Sequence, residues 1–260
     1  EVPFGKKKEI GVVWPGKNYN LENIKLKNIN KKISNLSLHQ DFINFINWFA
    51  TYNMMPLGLV LKMAIGRDII VSKNDKDIIQ IKKKVKKFQL NDEQKKALDF
   101  LNLKKNKFDV SVLQGTTGSG KTLVYFERIK EIISKEKQAL VLLPEIFLTN
   151  EFKIRFNDFF GFEPAIWHSK ITQKNRRLIW KGIINNKIKL VVGARSSLLL
   201  PFKNLGIIVV DEEHDSSYKQ DEGVIYHARD MAISRASFEK IPVNLITSIP
   251  SVETFNNIKN

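Results

Sequence analysis

Eight residues, Gly115-Thr116-Thr117-Gly118-Ser119-Gly120-Lys121-Thr122, fit the spacing G-x-x-x-x-G-K-[ST] without a mismatch. Glycine lets such a loop close tightly, so that backbone N–H groups can point at phosphate oxygens. A helix starting directly after it adds the positive end of its dipole to the same place. Lys121 can then reach the outer phosphates of a nucleotide, and the Thr122 hydroxyl can hold Mg²⁺. A site of this kind needs a carboxylate to complete the metal clamp. Gly206-Ile-Ile-Val-Val-Asp211-Glu212-Glu213-His214 supplies one, as an apolar strand ending in acids. Asp211 suits the metal, directly or through water, and Glu212 suits the base that orients an attacking water. Lys121, Asp211 and Glu212 are therefore the candidate catalytic residues, with Thr122 and Asp211 as candidate metal ligands.

The elements around these residues must bring them together. Asp109–Gln114 reads as a short buried strand entering the glycine loop, and Leu123–Lys130 as a helix leaving it. From Phe88 onward, strand-like segments at Val110–Leu113, Ala139–Leu143, Leu190–Gly193, Ile207–Val210 and Val243–Thr247 alternate with helical patterns. Continuous apolar strands separated by helices predict an α/β fold, a parallel sheet covered on both faces. Ligands of such sheets bind at the carboxyl ends of the strands, where the glycine loop and Asp211 both fall. Asn91–Leu103 reads as a helix with Asn91 as N-cap and Gln94 completing a capping box.

The first part of the chain is different. Residues 1–35 are basic and strand-like; Glu9–Trp14 is the best strand, followed by a turn at Pro15-Gly16. Residues 38–65 read as helical, with Phe42, Ile43, Phe45, Ile46 and Phe49 forming an apolar band broad enough to be mostly buried. The polar stretch Arg67–Lys87 holds five lysines between Lys82 and Lys87, either a solvated linker or a DNA-contacting surface. The expected division is 1–36, a partial DNA-binding β domain; 37–88, a partial winged-helix-like region and basic linker; and 89–260, the nucleotide-binding lobe.

The chain has 260 residues and a formal net charge of +16. Such an excess favours polyanionic partners, although lysine abundance throughout the chain offers a compositional explanation. There are no cysteines, which rules out disulfides and cysteine-ligated zinc within these residues and suits a reducing compartment. No apolar run approaches the roughly 20 residues that span a bilayer, and no signal peptide is visible. The chain starts at Glu1 rather than Met, consistent with a fragment.

Asp211-Glu-Glu-His214 has the spelling of the superfamily 2 helicase and translocase ATPases. Further motifs narrow the likeness: Leu143-Pro-Glu-Ile-Phe-Leu-Thr149, His168-Ser169, Val192-Gly-Ala-Arg-Ser-Ser197, Pro201-Phe-Lys-Asn-Leu-Gly206, and Asp211-Glu-Glu-His-Asp-Ser-Ser-Tyr-Lys-Gln220 followed by Glu222-Gly223 and Tyr226-His-Ala-Arg-Asp230. Together they resemble the PriA (primosomal protein N′) family of replication-restart DNA helicases. That resemblance is nearly continuous from about Leu90 to Thr254. Before it, Val2-Pro-Phe-Gly5 with Ile10–Val13 resembles the end of the family's small DNA-binding domain. Trp48, Tyr52 and Pro56-Leu-Gly58 resemble the start of its winged-helix region.

The resemblance implies a RecA-like lobe that binds ATP and Mg²⁺ and drives 3′-to-5′ movement on single-stranded and forked DNA, in company with primosome and single-strand-binding proteins, in the cytoplasm and away from membranes. By this likeness Gln94 contacts the adenine edge, or it is only a helix cap. Arg195 touches the DNA strand, or it forms a structural salt bridge. Tyr218 and Tyr226 stack on bases, or they pack the loop that carries them. His168 touches DNA or joins the nucleotide network, if it is not simply structural. Two residues depart from the family pattern: Ile225 replaces a tryptophan, and Ile249 replaces a hydroxyl residue in Ile246-Thr-Ser-Ile-Pro250, where Thr247 or Ser248 could substitute. The family's second lobe, with its phosphate-stabilising arginine and zinc-binding cysteines, is not in this sequence. The competing expectation is a non-catalytic DNA- or replisome-binding module with a decayed nucleotide site.

Overall fold

The computed structural model describes residues 1–4, 6–15, 27–32, 37–65, 80, 85–103 and 107–259. Most of the lysine run at Lys82–Lys87 and the Gly16 half of the predicted turn lie outside these residues.

Strands β3 (Asp109–Gln114), β4 (Gln138–Leu142), β5 (Ala165–Trp167), β6 (Leu190–Gly193), β7 (Leu205–Asp211) and β10 (Pro242–Thr247) form one sheet in the order β3-β10-β7-β4-β6-β5. Every neighbouring pair is parallel. The strands alternate their side chains between two cores. Leu140, Leu142, Ile208 and Val210 face one core, and Ala139, Val141, Ile207 and Val209 face the other. A strand buried on both faces must be apolar at every position, which is why these segments read as unbroken hydrophobic runs.

The second core is aromatic. Phe126, on the helix Lys121–Ser134 that follows the glycine loop, meets Phe156, Phe159 and Phe160 of the helix Asn150–Phe160 at centroid distances of 4.3, 5.1 and 5.2 Å. The first core is closed by the helices Gln173–Ile184 and Ala228–Glu239 and by the N-terminal helices Gln40–Tyr52 and Leu57–Ala64. Phe42, Phe45, Ile46 and Phe49 are fully buried there. The helices read as part of a separate winged-helix-like region thus pack on the sheet. Arg235 is buried among them: its guanidinium lies over the rings of Phe42, Phe45 and Phe202, pairs with Glu239 at 2.8 Å and donates to the carbonyl of Leu198.

Three local expectations need correction. Residues 10–14 are not a strand; instead β1 (Val2–Phe4) and β2 (Lys7–Glu9) form a short antiparallel hairpin. The helical stretch 38–65 is broken after Tyr52 and restarts after Pro56, whose missing N–H and fixed φ suit a helix start. The edge strand β5 adds to the five strands expected, since Ala165-Ile-Trp167 at three residues is too short to carry a strand pattern. Two small strands, β8 (Lys219–Gln220) and β9 (Tyr226–His227), pair antiparallel across the loop that follows β7. Among the described residues no helix is long and apolar enough to cross a membrane.

Candidate functional site

The carboxyl edge of the sheet gathers the predicted residues. The loop Gly115–Thr122 leaves β3 there, with the N–H of Gly115 bonded to the carbonyl of Thr247 at the end of β10 (3.2 Å). Gly118 and Gly120 both have φ of 82°, a left-handed conformation that disfavours any side chain. A Cβ on Gly120 would come within 2.3 Å of Gln94 Nε2, so a larger residue would also displace that amide. Lys121 opens the following helix, and its ammonium bonds back to the carbonyls of Gly115 (2.6 Å) and Thr116 (3.1 Å).

Gln94 braces this loop. Its N–H donates to Asn91 Oδ1 (2.8 Å), its Oε1 accepts from the Asn91 N–H (3.0 Å), and its Nε2 donates to the carbonyl of Ser119 (2.9 Å). The capping box read in the sequence is present, and the same amide holds the phosphate loop.

Asp211 ends β7 with 8% of its surface exposed. Its Oδ2 accepts from the Tyr125 hydroxyl (2.9 Å), and Oδ1 accepts from the backbone N–H of Glu212 (3.1 Å). Burial raises its pKa to about 6, against the Tyr125 hydrogen bond, while the nearby Glu212 charge adds to the rise. Glu212 has φ of 51°, left-handed without being glycine. Strain of that sort persists where surrounding structure over-determines the backbone, typically at functional sites. Thr122, Asp211 and Glu212 line one cleft of about 300 Å³ with Leu143, Phe147, Thr149, Glu151, Phe152 and Arg155. Among the described residues no three His, Cys, Asp or Glu side chains form a metal cage. Mg²⁺ does not require one, since it commonly takes one or two protein oxygens with water and phosphate.

The two tyrosines expected to stack on bases are both buried. Tyr218 is 1% exposed and shares its hydroxyl between the carbonyls of Leu142 (3.0 Å) and Asp211 (2.5 Å). Tyr226 is 3% exposed and meets Phe49 edge-on at 5.2 Å. Neither ring presents a face to a base, so the stacking assignment is corrected to packing: burying two large rings is what anchors an otherwise polar loop. Ile225, between them, is 60% exposed. Arg195 forms no ion pair among the described residues; it donates to the carbonyl of Lys219 and so ties the turn after β6 to the same loop. His168 Nδ1 accepts from the N–H of Lys170 (3.1 Å), a local turn contact.

Several functional contacts were missed. Tyr125 lies three residues beyond Thr122, on the same helix face, and that spacing was the available signal. Glu213 is fully buried and accepts from Arg229 (3.2 Å), the Ser251 N–H (2.8 Å), the Ser251 hydroxyl (3.1 Å) and the Thr254 hydroxyl (2.8 Å). His214 Nδ1 stands 2.8 Å from Thr247 Oγ1, which donates its proton to the carbonyl of Ile249 (2.7 Å). Nδ1 is therefore the donor in that pair. Thr247 thus places a hydroxyl, bonded to His214, at the end of β10, two residues before Ile249.

A parallel sheet with a glycine loop after its edge strand and acids ending a central strand defines a RecA-like P-loop lobe. The chain belongs to the DEAD/DEAH box helicase family, which it matches over residues 91–247. Residues 1–66 match the 3′ DNA-binding domain (3′BD). The replication restart protein PriA of Rickettsia conorii is 44% identical across 99% of this chain, and PriA of Bacillus subtilis is 42% identical across 66% of it. The likeness read in the sequence thus runs along the whole chain, its first 90 residues included. The chain spans 39% of the Rickettsia conorii relative's length and 22% of the Bacillus subtilis one. The solved structure of RecG bound to a three-way DNA junction shares 18% identity and a TM-score of 0.48, covering 80% of this chain and 27% of that one.

Proposed function

We propose that this chain carries the ATP-binding lobe of a 3′-to-5′ DNA helicase that acts in replication restart and primosome assembly. The observation that supports the reading is the meeting of Thr122, Asp211 and Glu212 in one cleft at the end of the Gly115–Thr122 loop. In this reading the backbone of Gly115–Gly120 cradles the phosphates of ATP. Lys121 exchanges its two carbonyl partners for phosphate oxygens. Thr122 and Asp211 would hold Mg²⁺, which would supply charge neutralisation at the phosphates, and Glu212 would accept a proton from the attacking water. The second N–H and second lone pair of the Gln94 amide remain for an adenine edge.

DNA enters on weaker support: the net charge of +16, the 3′ DNA-binding match, and Arg195 beside the loop after β7. Single-stranded and forked DNA are the proposed partners, with primosome and single-strand-binding proteins following from the PriA relatives, in a cytoplasmic setting. Hydrolysis at helicase rates calls for an arginine from a second lobe, worth several orders of magnitude in rate. Purified as these 260 residues, the chain binds ATP and single-stranded DNA but neither hydrolyses ATP rapidly nor unwinds.

Fluorescent-nucleotide titration with and without Mg²⁺ tests the reading. Binding should tighten with Mg²⁺ and vanish in Lys121→Ala, while salt-sensitive DNA binding survives that substitution. No nucleotide affinity in the presence of Mg²⁺ would leave the DNA- or replisome-binding module. Strand displacement by the purified chain, lost in Lys121→Ala, would overturn the expectation of inactivity.

A further inference from the structure

Resting on the nucleotide-binding reading above, we propose that Arg155 contacts the third phosphate of the bound nucleotide and makes the site discriminate ATP from ADP. Arg155 lines the cleft with Thr122, Asp211 and Glu212, but residues 115–121 do not line it. The glycine cradle serves the first two phosphates, the metal bridges the second and third, and the water-orienting acid attends the outermost one. Arg155 shares its cleft with that acid, Glu212, and not with the glycine cradle, and so stands toward the third phosphate.

The side chain is exposed, and among the described residues it has no hydrogen-bond or ion-pair partner. That is notable in a cleft whose lining also includes the carboxylates of Glu151, Asp211 and Glu212. A structural arginine would be paired with one of them. Planar guanidinium matches phosphate oxygens in two parallel bonds, and it stays charged at any working pH.

Its position is also fixed relative to the phosphate loop. The helix Asn150–Phe160 begins on the Thr149 cap, whose side chain accepts from the N–H of Phe152. The residue after Arg155, Phe156, meets Phe126 at 4.3 Å and Phe152 at 4.7 Å. Phe126 belongs to the helix that Lys121 and Thr122 open. One aromatic cluster thus holds both walls of the cleft, the condition for a side chain to act at set geometry.

The test titrates the chain and its Arg155→Ala and Arg155→Lys variants with fluorescent MgADP and a non-hydrolysable MgATP analogue. Arg155→Ala should weaken the triphosphate roughly tenfold or more and the diphosphate by less than about twofold, as expected when one charge-assisted contact is lost. Arg155→Lys should fall between, because it keeps the charge and loses the paired bonds. An unchanged thermal melting midpoint shows that the exposed substitution leaves the fold intact; if Arg155→Ala melts early, Arg155→Lys alone decides. Equal weakening of both nucleotides, or none, overturns the proposal. So does weakening confined to single-stranded DNA in an anisotropy titration, which would assign the arginine to DNA. Failure of the unsubstituted chain to bind either nucleotide would instead remove the nucleotide-binding reading, and this proposal with it.

Discussion

The Tyr125 hydroxyl stands 2.9 Å from Oδ2 of Asp211 and donates to it inside the protein. Burial keeps the phenol well above its ordinary pKa, so it is a permanent donor. It therefore fixes the orientation of the carboxylate proposed to hold Mg²⁺, one helical turn after the threonine proposed to share that metal. Tyr125→Phe keeps the ring and removes the donor. A hydrogen bond to a charged group is worth about 1.5–3 kcal/mol. We expect Mg²⁺-dependent nucleotide affinity to fall about tenfold or more, with nucleotide affinity in EDTA unchanged. Equal losses in both conditions would make Tyr125 a packing residue only.

Asp211 also predicts a dependence on pH. Its carboxyl is raised to about 6 by burial, so the folded protein holds this proton more tightly than the unfolded chain does. The stability linked to it is fully present below the ordinary carboxylate range and is lost as pH rises through about 6. Above that pH the ionised, buried group costs roughly 1–3 kcal/mol. Asp211→Asn, measured by urea denaturation without nucleotide, should therefore match the parent near pH 4 and exceed its stability by about that amount at pH 8. Lower stability of the variant at pH 8 would contradict this account. Nucleotide binding should show the opposite trend, with Mg²⁺ affinity of the parent rising through the same window.

Ile225 offers a gain-of-function test. It is exposed on the loop whose tyrosines are both buried. A single aromatic face adds about 1–3 kcal/mol per stacked base, with little sequence preference. Ile225→Trp should tighten single-stranded DNA binding several-fold, and the slope of affinity against salt should not change, since no charge is added. An unaltered affinity would place the DNA path away from this loop.

The parts of this site that follow from period and spacing were legible. The sheet strands are apolar at every position because both faces are covered, and the glycine loop and Asp211-Glu212 announce themselves by residue type. What spacing could not reveal was the direction of individual side chains. Tyr218 and Tyr226 flank an acidic, polar loop, and nothing in their positions says that both rings turn inward. The hydroxyl of Tyr218 reaches carbonyls on two strands, Leu142 and Asp211, a contact across 76 residues on one side. Arg155 is hidden for the opposite reason: in Asn-Glu-Phe-Lys-Ile-Arg-Phe it looks like one more surface cation on an amphipathic helix. Only the aromatic packing of its neighbours places it at the cleft. The N-terminal helices were read as a region apart, because Phe42–Phe49 states that a face is buried without stating against what.

Glu213 is the acid whose burial the motif did not explain, and its partners make a further prediction. It joins the end of β7 to Arg229 on the helix Ala228–Glu239 and to Ser251 and Thr254 at the start of the last helix. Its own N–H bonds to Ile246 of β10 at 3.1 Å. Removing one member of a buried charged pair leaves the other uncompensated, at about 3–5 kcal/mol. Glu213→Ala and Arg229→Ala should each lower the unfolding free energy in urea by an amount of that order, and the double variant should cost clearly less than their sum. Simple additivity would mean that Arg229 is held by Asp230, 2.9 Å away, rather than by Glu213. Glu213→Gln keeps the size and most of the acceptors while removing the charge. If the pair also holds Glu212 in its left-handed backbone, this variant should fold yet bind MgATP more weakly, because the strained residue beside it then relaxes. Unaltered MgATP affinity in a folded Glu213→Gln protein would confine the network to stability.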